Sequence, residues 1–82
     1  MDVVVKRQEP PSVPALGTLL VDVLQDRVGE FRGEWFGLWY LRPVTGGTEW
    51  TVVPGSTRPV TPEQRLRAET ARRNARSRGE LL

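Results

Sequence analysis

Polar and apolar residues alternate from Thr18 to Leu24. Leu19, Val21 and Val23 share one side, and Thr18, Leu20, Asp22 and Leu24 share the other. A period of two in a run rich in branched side chains predicts a β-strand. Gln25-Asp26 then turns the chain. A second strand is expected over about 27–34, with Val28 and Phe31 as its large apolar residues. They are an odd number of positions apart, so strict alternation would send them to opposite faces. A bulge at Gly29 is the expected device that turns both inward and sharpens the bend.

Residues 35–42, Trp-Phe-Gly-Leu-Trp-Tyr-Leu-Arg, are the richest apolar run and read as the central strand. Thr45-Gly46-Gly47 is a hairpin signal, because adjacent glycines supply the positive φ that tight turns require. Its partner strand is expected at 48–53, with Trp50 and Val52 on one face and Pro54-Gly55 closing it. Residues 57–60 form a short last strand, which Pro59 confines to a sheet edge.

The helix start that follows is the best specified boundary in the chain. Thr61 is a good N-cap, Pro62 suits the first helical position, and Gln64 stands where a capping box needs it. Glu63 favours the positive end of the helix dipole. Gly79 is a natural stop after a helix reaching about 77 or 78. Its apolar stripe is narrow: Ala68, Ala71 and Ala75 on one line, with Leu66 and Thr70 nearly opposite. At the other end, Pro10, Pro11 and Pro14 make residues 1–15 a flexible, proline-containing tail.

Composition narrows the function classes. The 82 residues allow one domain with a modest core. There is no cysteine and no histidine, which excludes disulfides, thiolate metal sites and the commonest general base. No apolar run approaches the roughly 18 residues that span a bilayer. The expected setting is cytoplasmic, with no membrane, metal or cofactor involved. The net charge is +2, and its distribution is uneven. Arg65, Arg67, Arg72, Arg73, Arg76 and Arg78 face only Glu69 and Glu80 in the last part of the chain, so the positive charge belongs to the helix.

The stretch 16–31, a strand, a polar turn and a strand with a central glycine, resembles the opening hairpin of small SH3-like barrels such as PRC-barrel and KOW-type domains. The longer pattern from Gly17 through Asp26-Arg27-Val28-Gly29, Leu41-Arg42-Pro43, Gly46-Gly47, Glu49-Trp50 and Arg58-Pro59 to Asn74-Ala75-Arg76 is similar to a group of short actinobacterial proteins without an assigned activity. The PRC likeness implies docking on another protein, and the KOW likeness implies contact with RNA. Asp22, Asp26 and Glu30 depart from the KOW pattern, where cations would face a nucleic acid.

Two groups are candidate contact residues. Arg65, Arg72 and Arg76 line up at helical spacing, with Arg73 beside them, and such a stripe neutralises phosphates. The bland alternative is a solvated helix in which Glu69 pairs with Arg72 and Arg73. Trp35 and Trp39 share one strand parity, and Phe36 and Tyr40 the other. One set is expected in the core and one outside, as a platform for a peptide or for bases. Ser12, Ser56 and Ser77 lack a histidine partner, and the carboxylates of the first hairpin are spaced along its outside rather than converging. No enzyme is expected.

The sequence thus predicts a mainly β fold with a C-terminal helix: a small five-stranded SH3-like barrel at 16–60 and one basic α-helix at 61–79. The expected role is a non-catalytic interaction module docking on a protein partner, through Trp35, Trp39, Tyr40, Arg65, Arg72, Arg73 and Arg76. The alternative is a weak, sequence-tolerant RNA- or DNA-binding protein using the arginines. An accessory subunit that is stable only when assembled is a third reading.

Overall fold

A computed structural model describes residues 12–79. Most of the expected tail, 1–11, lies outside the described residues, and 12–15 adopt no helix or strand. Five strands follow: β1 (Leu19–Asp22), β2 (Arg27–Trp35), β3 (Leu38–Pro43), β4 (Trp50–Val52) and β5 (Thr57–Pro59). A short 3-10 turn at Pro54–Ser56 precedes β5, and the helix α1 spans Pro62–Ser77. All neighbouring strands are antiparallel, in the order β4-β3-β2-β1-β5. The sheet is open, with β4 and β5 as its edges. Pro59 stands opposite Leu20 in edge strand β5, as its missing N–H requires.

Each face of this sheet carries a core cluster. Leu20, Phe31, Trp39, Leu41 and Val52 form one cluster, with Trp50 packed against it. Leu19, Val21 and Val60 form the other with Ala68 of α1, flanked by Val28 and Val44. β1 lies between β5 and β2, and all four of its residues are buried.

Among the described residues none of α1 belongs to the first cluster, and the sheet curls over it. The hydrogen bond from Trp50 Nε1 to Asp22 Oδ2, 2.8 Å long, records that curl. It joins β1 to β4, three places apart in the sheet. A flat sheet would hold those backbones about 14 Å apart. Asp22 is 3% exposed, and its other oxygen accepts the Leu24 and Gln25 amides at 3.0 and 3.3 Å. A buried carboxylate is tolerable because it is multiply hydrogen-bonded.

Four sequence expectations are corrected. β1 ends at Asp22, and Val23 and Leu24 are exposed in the loop rather than strand residues. Gly29 is not a bulge. It pairs in register with Leu20 and Pro43, and Val28 and Phe31 go to opposite faces because each face carries a core cluster. The register shift falls between Phe31 and Gly33. Gly29 serves clearance instead, since a β-carbon there would lie 2.6 Å from Trp50 Cη2 and 3.0 Å from the Arg42 carbonyl oxygen. The run 35–42 is not one strand: Phe36-Gly37 is a turn inside it. Finally, Asp22 is buried rather than on the outside of the hairpin.

The helix forms as its caps dictate. The Thr61 hydroxyl accepts the Gln64 amide at 3.1 Å, and the Gln64 side chain accepts the Thr61 amide at 2.8 Å. Gly79 follows the helix at φ +77, the left-handed conformation of a C-terminal glycine. Ala68 and Ala75 are its buried residues, so α1 lies on the sheet with its narrow small-residue stripe inward.

Candidate functional site

The β2–β3 hairpin closes on the pair Trp35 and Leu38, leaving Phe36 and Gly37 as a two-residue turn. Their φ angles are +52° and +79°, the sign that a type I′ turn needs at both positions. Asn-Gly is the usual solution. A phenylalanine in the left-handed region costs about 1 kcal/mol. Phe36 is also 87% exposed, and Trp35 beside it is 61% exposed. Their rings meet edge to face, with centroids 4.8 Å apart.

The aromatic tip continues onto the outer face of the sheet. Register places Leu38 beside Trp35, Tyr40 beside Gly33, and Thr51 beside Tyr40. Leu38 is exposed and Tyr40 half-buried. Gly33 has no side chain and open space where a β-carbon would point, so the strip alongside Tyr40 is bare. This is the same face that α1 covers over Leu19 and Val21. The hairpin is the part that the helix leaves uncovered.

Of the expected aromatic contacts, Trp35 and Tyr40 are therefore accessible, and Trp39 is not. Trp39 is 2% exposed and packs edge to face on Phe31, centroids 5.4 Å apart. Shared parity of Trp35 and Trp39 means nothing once a turn separates them. Phe36, the most exposed aromatic, lies in the turn and not in the strand expected over 35–42, and Gly37 is the sequence signal for that turn. Trp50 is held by Asp22 on its edge and by the Arg27 guanidinium over its ring, 3.7 Å from the centroid. That arrangement is structural.

The helix arginines do not form one free stripe. Arg72 is only a quarter exposed, and its Nε lies 3.8 Å from Glu30 of β2. Glu30 also faces Arg32 at 3.9 Å, and Arg32 faces Glu49 at 3.9 Å. Charges thus alternate from α1 across to the segment before β4. Buried Nε and Nη2 of Arg72 have no hydrogen-bond acceptor; the guanidinium is held by charge rather than by fitted hydrogen bonds. Arg65 pairs with Glu69 at 4.0 Å, the glutamate that the sequence assigned to Arg72 and Arg73. Arg73 and Arg76 are exposed, without an ion-pair partner among the described residues.

A cleft of about 330 Å³ opens between the first half of α1 and the sheet. Val21, Val28, Val44 and Ala68 line its floor, and Asp26, Gln64 and Arg67 its rim. Among the described residues no group of three or more metal-ligating side chains occurs. None of the helices described is long and apolar enough to cross a membrane. Comparison with protein-family models, curated proteins and solved structures yields no match to this chain.

Proposed function

We propose that the chain is a non-catalytic protein-interaction module, a curled SH3-like barrel that presents the β2–β3 hairpin to a protein partner. The observation that carries this is the Trp35–Phe36 pair, two large apolar rings held in solvent on a turn that strains one of them. Single exposed apolar residues are ordinary, but a contiguous aromatic patch on a small monomer is a recurring mark of an interface. Trp and Tyr are also the residues most often dominant in binding energy. A rigid two-residue turn presents them with little ordering cost. The strand order, in which β1 sits between β2 and β5, and the curl recorded by Asp22 and Trp50 support the SH3-like reading. The nucleic-acid reading has less support, because carboxylates stand against Arg65 and Arg72 and divide the stripe, leaving Arg67, Arg73 and Arg76 without an ion-pair partner among the described residues.

The test is site-specific photo-crosslinking from position 38 in the native cell, followed by affinity measurement with the captured protein. Trp35→Ala is expected to weaken binding by about 2 kcal/mol or more, roughly thirtyfold. Arg73→Glu with Arg76→Glu is expected to change it little. Salt-sensitive binding of short labelled RNA or DNA, lost in the double arginine variant, would replace this reading with the nucleic-acid one.

A further inference from the structure

We infer that the cleft beside α1 is a binding site for a small zwitterion with a branched aliphatic side chain, of the leucine or valine type. This goes beyond the docking hairpin and rests on a different part of the molecule. The floor is wholly apolar: three valines from β1, β2 and the β3–β4 loop, and Ala68 from the helix. The volume persists because the helix offers alanine here rather than a larger side chain. About 330 Å³ lies at the small end of the range in which small-molecule sites occur, roughly 300–1,000 Å³.

The rim supplies the selectivity. Arg67 stands on the helix side and Asp26 on the β1–β2 loop side. Among the described residues neither side chain has an ion-pair or hydrogen-bond partner, so they do not neutralise each other. Gln64 completes the rim. Its Oε1 accepts the Thr61 amide at 2.8 Å, which leaves its NH2 as the group free to donate. An α-carboxylate matches Arg67 and the Gln64 amide. An α-ammonium matches Asp26, and the branched side chain matches the valine floor. A fatty acid would leave Asp26 unused, and an aliphatic amine would leave Arg67 unused. Only a ligand carrying both charges beside an apolar tail satisfies every group.

The experiment is a methyl-detected NMR titration of the full chain with free L-leucine. The controls are 4-methylpentanoate, isoamylamine and glycine, which lack the amine, the carboxylate and the side chain in turn. Leucine is expected to shift the methyls of Val21, Val28 and Val44 with a Kd on the order of 1 mM, and each control to bind about tenfold more weakly. Arg67→Ala and Asp26→Asn are each expected to weaken leucine by about tenfold while leaving the Leu41 and Val52 methyls in place. Asparagine keeps the left-handed backbone at position 26 (φ +54). Unmoved valine methyls at roughly 50 mM leucine would overturn the proposal. So would equal binding of all four compounds, or shifts centred on Leu38 of the hairpin instead.

Discussion

Phe36 shows a single residue working against its own backbone. In the left-handed region it costs about 1 kcal/mol relative to a residue suited to that conformation, and its ring gains little burial to offset that. Phe36→Asn restores the turn sequence that type I′ geometry favours. It is expected to raise unfolding stability by about 0.5–1 kcal/mol, seen as a higher urea midpoint at unchanged m-value, and to weaken partner binding. A destabilised variant, or one that binds as before, would remove the argument that the aromatic tip is retained for contact. Asp22 is the opposite case. Its charge suggests a surface residue, yet it is buried under Trp50, 28 positions away in sequence. No local pattern announces such a bond, because what satisfies the carboxylate arrives only when the sheet curls.

Among the elements, α1 is the most autonomous. Its boundaries follow from Thr61, Pro62, Gln64 and Gly79, all interacting within a few positions, and every one behaves as the sequence reading expects. Thr61→Ala removes the acceptor for the Gln64 amide and is expected to cost about 1 kcal/mol, measurable as a lower melting temperature by circular dichroism. An unchanged melt would mean that docking on the sheet, not the cap, holds the first turn. The face that α1 buries was less legible. Three alanines at helical spacing fit either a packed or a projecting helix, and the choice falls to the sheet, whose outer valines need cover. The same packing draws Arg72 against Glu30 and divides the arginine stripe.

At the scale of the whole molecule, one sheet has to make two cores. It does so by curling over Leu20, Phe31, Trp39, Leu41 and Val52 while α1 covers the reverse of β1. Gly29 sits under the Trp50 ring. Gly29→Ala places a methyl group against Trp50, Arg42 and Leu41 at distances of 2.6–3.1 Å. Overpacking of this kind costs about 1–3 kcal/mol, a large share of what a domain this small holds in reserve. The expected result is a marked fall in the urea midpoint, with Trp50 fluorescence reporting the disturbed ring. A neutral substitution would show that Trp50 has room to shift and that the curl does not depend on the glycine.

The tight turn expected at Gly46-Gly47 falls instead at Val44-Thr45, closed by the Gly46 amide on the Pro43 carbonyl, but the chain's local chemistry by itself determined the number of strands, the turn at Gln25-Asp26, the edge position of Pro59, and the helix with its caps. These rest on backbone preferences and on contacts a few residues apart, which any reader of the sequence has in view. Alternation was readable too, but not its meaning: with a core cluster on each face of β1 and of the first part of β2, apolar residues of either parity find a core, and Val28 and Phe31 needed no bulge. Tertiary structure alone decided that Trp39 is core while Trp35 and Phe36 are surface, that Arg72 answers to Glu30, and that Asp26 and Arg67 line one apolar cleft. Each of those outcomes depends on which distant segment arrives beside a side chain, and burial and charge pairing are properties of that meeting rather than of the residue.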